Sequence, residues 1–166
     1  MYAFSVGMSR GHGIIILLGL IIGLTSCKEV KTIRYSEFEH IGEEGWDPIR
    51  ILSFAPFPTD SLLSPDTRYS LVLTLRYSQE CMATQLPVRI TEQNDDGDYS
   101  SRIRKLYLRD KSGNLQGRKG LALYEITDTL NKAFVLPENY LVDIEVLAPA
   151  EYSKGLVDVG LELVEE

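Results

Sequence analysis

Cysteine, histidine and tryptophan are scarce in this chain of 166 residues, with two, two and one copies respectively. Two cysteines, Cys27 and Cys81, allow one disulfide at most, so a stapled small scaffold is excluded and the fold must rest on its core. His12 lies ahead of Cys27 and only His40 behind it. No set of imidazoles and thiols is therefore available for an N/S metal site, and neither metal nor cofactor is expected. Nucleophilic catalysis lacks parts as well. There is no G-x-S-x-G, His40 has no marked partner, and Cys81 in "SQECMAT" has no adjacent cation to lower its thiol pKa. No carboxylate spacing singles out a glycosidase pair. The expectation is a protein that is not an enzyme.

Positive charge is also short. Seventeen bases against 24 acids leave a net charge of −7, which repels phosphate backbones and argues against a nucleic-acid partner. No block of basic residues stands out to reverse that. Long apolar runs are missing too: a membrane-spanning helix needs about 20 apolar residues, and the longest run here is shorter.

That run is nonetheless informative. Arg10 precedes an apolar stretch from Ile14 to Leu24, within the length of a signal-peptide core. It ends in Leu24-Thr25-Ser26-Cys27, which resembles the lipobox of bacterial lipoproteins. In that class the thiol receives a diacylglyceryl group, the peptide is cut just before the cysteine, and the new amine is acylated. The alternative is an ordinary cleaved signal, with Cys27 bonded to Cys81. The expected organisation is a lipoprotein signal peptide over 1–26, a lipidated N-terminus and short linker over 27–33, and one domain over 34–166. Loss of Arg10 leaves 16 bases against 24 acids, a charge of −8. Membrane attachment then falls to the N-terminal acyl chains, each buried CH₂ contributing about 0.8 kcal/mol.

Beyond residue 30 the apolar period is two, the mark of half-buried strands. In "YSLVLTLRY" Tyr69, Leu71, Leu73, Leu75 and Tyr77 share one face. "YLVDIEV" and "VDVGLELVEE" alternate in the same way. Weaker candidates are "KTIRYSEFEHI", "IRILSF", "LPVRITE", "RKLYLRD", "LALYEIT" and "AFVLP", separated by turn-forming stretches such as "NDDGD", "KSGN" and "LPEN". The pattern predicts an all-β antiparallel sandwich, jelly-roll or Ig-like, of about eight strands.

The acidic loop "EQNDDGDYS" reads as a solvated turn rather than an EF-hand, because its twelfth position would be Ile103 and not glutamate. A looser calcium site would use Asp95, Asp96 and Asp98. Trp46 follows a glycine and reads first as core or core-lid. Exposed instead, it would join Tyr99 and Tyr124 in an interaction surface for a protein or a glycan.

The lipobox, the early aromatic segment with Tyr35, Phe38 and Gly45-Trp46, the "LPENYLVDIEV" stretch and the closing "GLVDVGLELVE" together resemble the GldH family of gliding-motility lipoproteins from Bacteroidetes. That resemblance implies a non-catalytic outer-membrane accessory protein of the gliding apparatus associated with type IX secretion, with gliding or secretion components as envelope partners. A carbohydrate-binding surface lipoprotein of a glycan-uptake system is the alternative. Lys28-Glu29, only a partial match to an acidic surface-export signal, favours the periplasmic face. Gly160, in a core-strand pattern, predicts a close approach by a neighbouring backbone or bulky side chain.

Overall fold

Among the described residues nine strands lie in two layers, most of them set by alternation of apolar and polar side chains. The computed structural model describes residues 32–56, 67–94 and 97–166. The strands are β1 (Ile33–His40), β2 (Leu52–Phe54), β3 (Tyr69–Tyr77), β4 (Gln85–Gln93), β5 (Tyr99–Tyr107), β6 (Arg118–Lys119), β7 (Tyr124–Phe134), β8 (Leu141–Val146) and β9 (Leu156–Glu165). One sheet runs β1-β9-β3-β7-β6 and the other β2-β8-β4-β5. Every pairing is antiparallel, so the chain is a β-sandwich. Among the described residues no helix is long and apolar enough to cross a membrane.

The core forms where the two inner faces meet. Leu71, Leu73 and Leu75 of β3 and Val159, Leu161 and Leu163 of β9 face Val88 and Ile90 of β4 and Val142 and Ile144 of β8, all buried. Tyr77 is buried at one end with its hydroxyl satisfied, donating to the carbonyls of Leu108 at 3.1 Å and Gln116 at 2.6 Å. A buried phenol without such partners would be costly.

Outside the five-stranded sheet, Phe38 lies flat on Gly160, its cross-strand partner. A Cβ at Gly160 would stand 2.3 Å from the ring, so the close approach read from the sequence is a phenyl ring. The guanidinium of Arg76 sits 4.0 Å from the centroid of that ring and bonds Glu125 at 3.0 Å, which also accepts from Arg118 at 2.7 Å. Burial would raise the Glu125 pKa, but the two arginine hydrogen bonds and their charges outweigh it and hold the carboxyl below its usual range.

Two sequence expectations shift. "RKLYLRD" was to be a strand over 104–110, but β5 starts at Tyr99 and ends at Tyr107. Its inward positions carry Arg102 and Arg104, so it lacks the apolar alternation of a central strand. "LALYEIT" and "AFVLP" merge into β7, which stays continuous by means of irregular register against β3 and a positive φ of 50° at Ala133.

Candidate interaction surface

Glycine and tryptophan at 45–46 fold inward. Gly45 has φ of 93°, and a Cβ there would meet the Ala150 carbonyl oxygen at 1.9 Å. That clearance lets Trp46 N–H donate to Ser153 Oγ at 2.7 Å and the indole Nε1 donate to the Arg50 carbonyl at 2.9 Å. Trp46 is 1% exposed. It closes the core and offers no stacking face, so it leaves the candidate surface. Tyr124 is half-buried, its ring stacked on Tyr77 with centroids 5.9 Å apart. Tyr99, 70% exposed on β5, is the one member of the set that faces solvent fully. Cys27, Asp95 and Asp96 lie outside the described residues. Asp98 N–H donates to Asn94 Oδ1 at 3.0 Å.

The groups weighed for catalysis stand apart. His40 is exposed on β1 and meets Asp158 at 3.1 Å. Cys81 is buried, and burial pushes its thiol up despite a backbone hydrogen bond at Ala83 and the nearby Arg109. Arg109 donates to the Cys81 carbonyl at 2.7 Å. A cation does approach this cysteine, therefore, from 28 residues away in sequence. Among the described residues no three His, Cys, Asp or Glu side chains converge as a metal site.

The structure brings out a surface that the composition hides. Between positions 102 and 119 the chain carries seven bases, Arg102, Arg104, Lys105, Arg109, Lys111, Arg118 and Lys119, against the single acid Asp110. In an acidic protein this is a basic block, contrary to the sequence expectation. Averaging over the whole chain conceals it. A window of about eighteen residues would have revealed it.

The block folds along the side of the sandwich where β5 lies across from β7. There a groove of about 850 Å³ runs between the two strands, lined on one side by residues 103–107 and on the other by 125–128, with Gln116–Arg118 crossing one end. Arg104 Nε stands 3.8 Å from Asp128 Oδ2, too far for a hydrogen bond. Nearer the Tyr99 end of β5, Glu92 of β4 is 8% exposed and lines a separate, smaller cavity. It pairs with Arg102 and accepts from Tyr140 at 2.7 Å and Asn131 at 2.8 Å. Burial, then the hydrogen bond to Glu92 and the charge of that carboxylate, raise the Tyr140 pKa well above its ordinary value. This network ties three strands together. The groove itself, with Arg104, Lys105 and Arg118, is open to solvent.

Comparison with known proteins gives one family. The sequence pattern described as GldH lipoprotein matches residues 33–163. No curated protein matches. A solved structure titled "The Structure of Tomato Aspermy Virus by X-Ray Crystallography" aligns over 92% of this chain and 93% of that chain, at 11% identity and a TM-score of 0.38. A likeness at that level carries no argument about function.

Proposed function

Because the chain belongs to the GldH lipoprotein family, we propose that it is a lipid-anchored accessory protein of a cell-envelope machine, of the gliding-motility kind linked to type IX secretion. In this reading it is non-catalytic and acts through protein–protein contacts. It is held through acyl chains on Cys27 at the outer membrane, on the periplasmic face. The observation that carries the reading is the family match, which spans nearly all of the sandwich from β1 to β9.

Three further points support it. The Leu24-Thr25-Ser26-Cys27 lipobox lies only a few residues ahead of β1, so a lipid on Cys27 would hold the domain near its membrane. His40 and Cys81, the imidazole and thiol beyond the lipobox, serve as an exposed hydrogen-bonding partner of Asp158 and a buried core residue. The large exposed side chains Tyr99, Ile103 and Tyr107 share one face of β5, interleaved with Ser101 and Lys105, an arrangement suited to a macromolecular partner.

Two measurements test the reading. Cys27→Ala should leave the protein folded but release it from the membrane fraction. Mild cross-linking followed by recovery from solubilised outer membrane should bring envelope proteins with the wild type. Recovery of the protein alone, or membrane retention of the Cys27→Ala variant, overturns it.

A further inference from the structure

We propose that the free edge of β5 is a strand-addition site for an extended partner segment that alternates acidic and apolar residues. The inference rests on the interaction reading above and names the site and the chemistry of its partner.

The geometry begins with hydrogen-bond parity. In an antiparallel pair, residues that bond across alternate with residues that point their N–H and C=O away. The Leu108 N–H donates to the Thr84 carbonyl at 2.9 Å, one step beyond the Tyr107–Gln85 pair. At the other end of the hairpin Asn94 N–H donates to the Asp98 carbonyl at 3.3 Å, in the same parity. Ser100, Arg102, Arg104 and Leu106 therefore bond to β4. Ser101, Ile103 and Lys105 turn their backbone groups outward, where no described strand pairs with them.

Among the edge strands β5 is the one best suited to addition. It has nine residues and an unbroken register against β4. β2 has three residues, β6 has two, and β1 has a register irregularity near Ile33. Long, regular edges invite pairing, and proteins usually blunt them with charge. Here the charge has one sign, which repels some partners and attracts others.

The occupant follows from the two faces. A strand added beside β5 would place alternate residues next to Arg104, and next to Arg102 where it pairs with Glu92, with Arg118, bonded to Glu125, across the groove. Its remaining residues would lie beside Ile103 and Tyr107, 59% and 60% exposed, and beside Lys105 between them. Opposite charges across strands stabilise and like charges do the reverse. Arg104 is only loosely paired with Asp128, and among the described residues Lys105 pairs with no carboxylate. A second copy fits worse, because antiparallel pairing centred on Ile103 would set Arg102 against Arg104 of the other copy. The match is an acidic–apolar alternating segment of another protein, bound by β-strand addition.

The test uses the full-length protein in detergent and a fluorescein-labelled peptide containing Glu-Val-Glu-Val-Glu-Val, read by anisotropy. A block peptide of the same composition, Glu-Glu-Glu-Val-Val-Val, is the control. The alternating peptide should bind at least about tenfold more tightly than the block peptide, the worth of one or two backbone hydrogen bonds. Ile103→Pro removes an N–H that β4 does not use, so it should leave the thermal melt nearly unchanged and abolish the difference. Arg104→Gln, on a partly exposed side chain, should weaken binding of the acidic peptide severalfold and flatten its salt dependence. Equal binding of the two peptides overturns the proposal, as does full binding by both variants. A dimer that Ile103→Pro dissociates, without peptide binding, overturns it in favour of self-pairing. If cross-linking still recovers envelope partners while the peptide fails, the accessory role stands and only this edge is wrong.

Discussion

At Gly45-Trp46 two adjacent residues answer to opposite demands. The glycine must have no side chain because the Ala150 carbonyl occupies its Cβ position, and the tryptophan must have the largest because it seals the sandwich end. Trp46→Ala should cost about 3–5 kcal/mol, the usual range for an emptied aromatic site. Gly45→Ala should cost more than about 1 kcal/mol, since it adds a clash to a positive φ. Chemical denaturation of both variants checks this, and a Gly45→Ala protein as stable as wild type would contradict the geometry. The sequence marked Trp46 as a core-lid residue, because a lone tryptophan beside a turn usually is one. It did not show what the glycine clears, since Ala150 and Ser153 arrive from more than a hundred residues away. Gly160 was more legible: a glycine in the middle of an alternating strand implies that something comes close, and Phe38 does.

Among the elements, legibility tracks how many faces a strand buries. β3, β8 and β9 have neighbours on both edges and a core on one face, so their alternation is plain in the sequence. β5 has one neighbour, and its inward positions carry arginines paired with Glu92 and set near Asp128. Only its last residues, with Leu106, carry an apolar signal, which is why "RKLYLRD" reads as a strand and the stretch from Tyr99 to Ile103 does not. β7 was legible only in halves, because its bulged middle interrupts the period. The same strand carries a test of charge. Glu125 joins Arg76 of β3 to Arg118 of β6, and its folded carboxyl lies below the ordinary value. A carboxyl depressed on folding contributes stability that is present above its unfolded pKa, about 4.3, and is lost as pH falls through the folded pKa. Glu125→Gln should therefore be about 1–2 kcal/mol less stable than wild type at pH 7. That difference should shrink toward zero as the pH is lowered below about 4. A difference independent of pH would show that the pair adds only packing.

For the whole molecule, stability comes from burial in one sandwich core, and Cys81 sits within that core as a free thiol. Reductant should leave the thermal midpoint unchanged, and Cys81 should resist alkylation until the protein unfolds, because burial raises its pKa and shields it. A midpoint lowered by dithiothreitol would reveal a bond between Cys27 and Cys81, and would remove the lipid anchor with it. Fold class was legible at this scale because period-two alternation recurs through most of the chain. The order of strands was not, since β9 lies between β1 and β3 and the first strand pairs with the last.

That pairing has a mechanical side. Any pull on the chain ahead of Thr32 enters the folded domain through β1, whose register partners all belong to β9. Tension directed along β1, away from the turn beyond His40, loads the pairs from Ile33–Val164 to His40–Asp158 together and must shear them at once. Tension directed across the strand opens them one after another, starting at Ile33. Because forced rupture is governed by the unfolding rate rather than by equilibrium stability, the domain's hold on a tether depends on the direction of the load.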